Sequence, residues 1–264
     1  MLKQRVITAL ALAAVALLAI FLLPTSAIMV VLGVLVAAGA WEWSAFPGFT
    51  SLAARIAYVG AIVLGIGIVA ALMIRGSDVS VVLYTAVAWW LVALVWVTTM
   101  PGHVNRATAA LAGLVVLIPA WLALVRLHEH GPTLMLFVLM LVVAADVGAY
   151  FCGRRFGRTK LAPQVSPGKT WEGAIGGFAG AVLVAVAGAF WFAVPALPFV
   201  LLSAATAIVS IVGDLTESLF KRHAGVKDSG SLLPGHGGVL DRVDSLTAAA
   251  PVFLVGLERL GLFR

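Results

Sequence analysis

The chain has 264 residues, 62% of them hydrophobic and only 11% charged, with a mean hydropathy of +1.12. A soluble domain carries about 25% charged residues, so these side chains cannot cover a water-facing globule, and the composition excludes one. The formal net charge of +6 fits cationic loops on one side of a membrane better than a nucleic-acid-binding surface, and no nucleic-acid partner is expected.

Apolar runs of about 20 residues recur, where a membrane barrel would alternate over about 10. The expected fold class is therefore an all-α polytopic membrane protein. The single Cys152 excludes an intrachain disulfide. The N-terminal "MLKQRVITALALAAVALLAIFLL" has a basic start and apolar centre like a signal peptide. Its apolar run is closer to a full span than to a signal core, so it reads as a retained first helix.

In chain order, nine candidate spans lie near 6–23, 27–45, 53–74, 79–99, 107–126, 132–152, 172–193, 197–219 and 245–262. The first five, within residues 1–130, are joined by short loops and form an N-terminal transmembrane region. The last four, within 131–264, carry two long polar loops, 153–171 and 220–244, and form the expected catalytic region. With the N-terminus inside, 13 of the 17 Lys and Arg residues fall on the inner side; only Arg75, Arg126, Arg259 and Arg264 fall outside. That bias places both polar loops in the cytoplasm of a multi-pass inner-membrane protein.

Carboxylates follow the same organisation. Seven of the 11 acids lie between residues 146 and 244: Asp146, Glu172, Asp214, Glu217, Asp228, Asp241 and Asp244. A charge inside a span costs at least a few kcal/mol unless it is paired or hydrated. Asp214, Glu217, Ser218 and Lys221 share one helical face, as do Asp241, Asp244 and Ser245. The glycine-rich loop between them can fold back and bring the two stripes together. Two facing acidic stripes offer oxygen donors suited to a hard divalent cation such as Mg²⁺, whereas no His/Cys clustering points to zinc. His236, between two glycines, can face a phosphate or make a capping contact.

The loop "GRRFGRTKLAPQVSPGKTWEG", Gly153 to Gly173, sets five cations among glycines and prolines before a helix start. Such a loop suits an anionic phosphate through Lys169. Arg154, Arg155 and Arg158 suit lipid headgroups or topology equally well. Metal-held acids facing cations are the logic of phosphoryl or nucleotidyl transfer.

At this point the residues carry a resemblance. Ser218-Leu-Phe-Lys221-Arg222, then Lys227-Asp228 and "GSLLPGHGGVLDRVD" are similar to the signature of the phosphatidate cytidylyltransferase (CDP-diacylglycerol synthase) family. "DVGAYFCGRRFG" from Asp146, "SPGKTWEG" from Ser166 and "GDLTES" from Gly213 extend it over about residues 146–250. The resemblance implies transfer of CMP from CTP to phosphatidic acid, giving CDP-diacylglycerol and pyrophosphate in phospholipid biosynthesis. It implies a Mg²⁺ requirement, with a second, monovalent cation left open, and suggests a homodimer.

On the same resemblance, Asp214, Lys221, Arg222, Lys227, Asp228, His236, Asp241, Arg242 and Asp244 are the catalytic candidates. Asp214, Asp241 and Asp244 are the candidate metal ligands. Asp146, Ser166, Lys169, Thr170, Glu172, Glu217 and Ser218 are the candidate substrate-binding residues. The alternatives are a CTP-dependent lipid kinase and a transporter of an anionic solute. Gly173 with Gly177, and Gly176 with Gly180, allow close helix packing within or between chains.

Overall fold

A computed structural model describes residues 2–100, 102, 104–232 and 237–263. Among these, nine helices follow one another: α1 (Leu2–Leu22), α2 (Thr25–Trp43), α3 (Leu52–Ile74), α4 (Ser80–Thr99), α5 (Arg106–His130), α6 (Pro132–Phe156), α7 (Trp171–Trp191), α8 (Ala196–His223) and α9 (Leu240–Leu260). Seven of them, α2 to α8, are long and apolar enough to cross a membrane. The apolar run of α1 is the shorter Ala13–Leu22, and α9 is interrupted by Asp241, Arg242, Asp244, Glu258 and Arg259. The protein is an all-α polytopic membrane protein, and its large apolar side chains on the outside, such as Leu64, Leu183 and Phe190, face lipid.

Helix ends follow local chemistry. Ser51 caps α3 by accepting the Ala54 N–H. Asn105 and Thr108 form a reciprocal capping box on α5. Gly131 ends α5, and Pro132 opens α6, where its missing N–H costs nothing. The helical stripes expected from the spacing are present, and the helices run into the stretch 220–244: Lys221 and Arg222 finish α8, while Asp241 and Asp244 lie at the start of α9. The loop between α8 and α9 is correspondingly shorter than the sequence suggests.

The loop after α6 holds the one sheet among the described residues. Strands β1 (Lys160–Ala162) and β2 (Ser166–Thr170) pair antiparallel, Lys160 opposite Thr170 and Ala162 opposite Ser166.

One buried core draws on all nine helices, from Ile20 in α1 to Leu257 in α9. An aromatic group of Phe137, Phe192, Phe199, Phe253 and Phe263 fills one end. Trp43, Phe46, Trp96 and Phe220 fill the other. Two crossings are backbone-close because glycine permits it. A Cβ on Gly177 would sit 2.5 Å from the Ala145 carbonyl, and one on Gly180 would sit 2.7 Å from the Ala144 carbonyl. The small-residue stripe of α7 is therefore spent on α6 of the same chain. On α8, a Cβ at Gly213 would sit 2.9 Å from the Asp244 carbonyl. That crossing puts Asp214 and Asp244 side by side.

Candidate active site

The polar groups gather where α8 ends, α9 and α7 begin, and the β-hairpin folds over. Lys169, carried by β2, reaches across to Asp214 on α8, with Nζ 2.5 Å from Oδ2. Ser218, one turn further along α8, lies 3.4 Å from the other Asp214 oxygen. Asp146 on α6 and Asp244 on α9 are close enough for their charges to act on Asp214. Asp146, Lys169, Thr170, Asp214 and Ser245 line a cavity of about 490 Å³, with Arg154 at the rim.

A second cluster sits one turn along. Lys221 Nζ lies 2.7 Å from Asp241 Oδ1 and 3.1 Å from Glu217 Oε1. Glu217 is 3% exposed, and neither of its oxygens receives a well-aligned hydrogen bond. The Lys221 charge is what makes its burial tolerable, since an unpaired buried carboxylate costs several kcal/mol. The second Asp241 oxygen accepts N–H groups from Ser229 and Gly238, both at 3.0 Å. Asp241 thus ties the two ends of the α8–α9 loop to Lys221.

The remaining candidates divide by what they touch. Thr170 accepts the Gly173 N–H and caps α7. Glu172, in the first turn of that helix, accepts the N–H groups of Arg158 and Thr159 and draws the preceding loop down. Arg222 leans toward the Val165 carbonyl, 3.4 Å away, which joins α8 to the hairpin. Ser166 is half-buried in the hairpin; Lys227 and Asp228 are exposed in the α8–α9 loop, and Arg242, also exposed, lines a separate apolar cavity against α1, α2 and α5. His236 lies outside the described residues.

One carboxylate was not among the sequence candidates. Glu42, near the end of α2, is 2% exposed. Its oxygens accept the Val239 N–H at 3.1 Å, the Leu240 N–H at 2.9 Å and the Ser229 hydroxyl at 3.2 Å. Only its isolation within an apolar run marks it in the sequence.

Counted as ionised, Asp146, Asp214, Glu217, Asp241 and Asp244 against Lys169 and Lys221 leave an excess of three negative charges. Among the described residues no three His, Cys, Asp or Glu side chains form a ready-made metal cage. The donor chemistry nonetheless fits a hard divalent cation at Asp214 and Asp244, which the α8–α9 crossing brings close enough for their charges to interact. Asp241 fits less well, because its oxygens already hold Lys221 and two loop N–H groups at 2.7 to 3.0 Å, whereas Asp214 holds Lys169 and only a long contact to Ser218.

The profile of the cytidylyltransferase family matches residues 3–259, nearly the whole length. The chain belongs to the cytidylyltransferase family. Within that family it is 46% identical to a phosphatidate cytidylyltransferase of Pseudomonas aeruginosa, over 96% of both chains. It is 42% identical to the Haemophilus influenzae protein of the same name, over 96% of this chain and 97% of the relative. A Bacillus subtilis phosphatidate cytidylyltransferase is 41% identical over 50% of this chain and 51% of its own.

Proposed function

We propose that this family member is a Mg²⁺-dependent CTP:phosphatidate cytidylyltransferase of the bacterial inner membrane, with its site facing the cytoplasm. The observation that carries the reading is that the polar cavity shares Leu161, Ala174 and Ile211 with an apolar groove of about 880 Å³ between α4, α7, α8 and the hairpin. Such a joined pair suits a substrate with acyl chains in lipid and a phosphate that must meet a water-soluble nucleotide.

In this reading a phosphatidate oxygen attacks the α-phosphorus of CTP. The new P–O bond forms as the bond to the β-phosphate oxygen breaks, and pyrophosphate leaves with the electron pair. The nucleophile is already an anion at neutral pH, so no side chain has to remove a proton. Positioning and charge neutralisation supply the rate. Lys169 brings its ammonium group to the cavity, held there by Asp214, while Lys221, buried between Glu217 and Asp241, offsets their charge one turn along α8. Arg222, against the hairpin, and Lys227, in the α8–α9 loop, add positive charge at the same end of the molecule. Asp214 and Asp244 would hold Mg²⁺, whose chemistry is to neutralise phosphate charge as it builds on the leaving group. A homodimer, if formed, would use a surface other than the glycine stripe of α7.

The test is purified protein in detergent with labelled CTP, phosphatidic acid and Mg²⁺. Lipid-linked CMP and pyrophosphate are the expected products. Release of CDP with a phosphorylated lipid would make the protein a kinase, and no CTP turnover would remove the enzymatic reading.

A further inference from the structure

We infer that Glu42, from the N-terminal part of the chain, is a positioning residue of the active site, acting through the neck of the α8–α9 loop; the inference rests on the cytidylyltransferase reading for its consequence in rate. The local sequence leaves α9 without a cap of its own. Its N-cap position is Val239, whose side chain can accept nothing, while the first N–H groups of any helix need acceptors. Glu42 supplies them from another helix. Its carboxylate takes the N–H groups of Val239 and Leu240, and a negative charge at that end also answers the helix dipole.

The same carboxylate takes the Ser229 hydroxyl, so it grips both sides of the loop neck. Space around it is shaped for this. A Cβ on Gly230 would collide with Glu42 Oε1, and one on Gly238 would lie 2.6 Å from Oε2 and collide with Ser229 Oγ. Gly39, one turn before Glu42, lets the Leu240 side chain close against α2. Below the neck, Asp241 binds the N–H groups of Ser229 and Gly238 and holds Lys221. Ser229 and the turn at Gly238–Leu240 are therefore clamped between Glu42 and Asp241. What Glu42 fixes is the pose of Asp241, and through it that of Lys221.

Glu42→Gln keeps the volume but turns an NH₂ group toward N–H donors, so at least one contact must break. In the full-length protein we expect kcat to fall at least tenfold and the KM for CTP to rise at least threefold. A simple loss of folded enzyme would lower kcat and leave KM alone. Hydrogen exchange should speed up at the Ser229, Val239 and Leu240 amides, with α5 and α6 unchanged. Gly230→Ala leaves Glu42 in the chain but drives a Cβ against its carboxylate alone, and should give the same signature; it decides the matter if Glu42→Gln fails to fold. Unchanged loop exchange together with an unchanged KM in whichever variant folds would overturn the inference. If the wild-type protein forms no CDP-diacylglycerol, the functional reading fails, and loop exchange alone decides the role of Glu42.

Discussion

Lys169 and Arg158 stand a few residues apart in the same cationic loop, yet their surroundings differ. The Lys169 ammonium lies against Asp214 inside the cavity, whereas Arg158 uses only its backbone N–H, given to Glu172. Lys169→Ala should therefore lower turnover at least tenfold, about 1.4 kcal/mol of transition-state stabilisation, and Arg158→Ala much less. Equal small losses in a CTP turnover assay would return the loop to a purely topological role. Asp214→Asn and Asp244→Asn should each lose about 10²-fold or more. If they serve one ion, the double variant should be little worse than either single one. Fully multiplicative losses, measured with Mg²⁺ titration, would argue against a shared ion. Asp78→Asn, at the opposite end where its carboxylate accepts the nearby Ser80 N–H, should be nearly silent in turnover. Spacing alone was enough to pair Asp214 with Ser218 and to set Asp241 and Asp244 on one helical turn. It could not show that Asp241 spends both oxygens on Lys221 and the loop. Nor could it show Glu42, because a lone acid in an apolar run gives no pattern, and its partners are backbone groups nearly 200 positions away.

At the scale of elements, helix packing at the site depends on missing side chains. At the α6–α7 crossing, a Cβ on Gly177 would meet the Ala145 carbonyl and the Ala149 Cβ rather than a flexible side chain that could give way. Gly177→Val should cost about 1–3 kcal/mol or more by overpacking. Gly60 on α3 has open space where a Cβ would go, so Gly60→Ala should be neutral or gain up to about 1 kcal/mol from helix propensity. Thermal unfolding in detergent checks both, and a Gly177→Val midpoint equal to wild type would mean that the two helices are free to separate. Helices of this kind were legible because 20 apolar residues need no tertiary partner to declare a span. Their ends were not. The start of α9 is satisfied by Glu42 from a distance, a contact that no window of local sequence contains. The hairpin was hidden for a related reason: "KLA" and "SPGKT" have no alternation, and Pro167 argues against a strand. Pairing there is held from outside, by Lys169 on Asp214 and by Arg222 against the Val165 carbonyl.

Across the whole molecule the charged groups separate to two ends. Glu42, Arg55, Arg106, the hairpin cations and the Lys221–Asp241 cluster share the end where α2, α6 and α8 finish and α3, α5, α7 and α9 begin. Arg126, Glu129, His130, Glu258 and Arg259 meet at the other, where Arg126 bonds Glu129 and Arg259 reaches Tyr84. The basic excess lies at the first end, with 13 of 17 Lys and Arg residues by the alternation of spans. Positive loops are retained on the cytoplasmic side during insertion, which is also where a nucleotide would be available. In a background lacking Cys152, Lys160→Cys in the hairpin and Val226→Cys in the α8–α9 loop are both exposed. In spheroplasts they should be blocked by a membrane-permeant maleimide and spared by an impermeant one. Ser77→Cys, exposed between α3 and α4 at the far end, should be blocked by both. Labelling of Lys160→Cys or Val226→Cys by the impermeant reagent would invert the orientation. It would also separate the site from cytoplasmic CTP, so the same measurement bears on topology and function together.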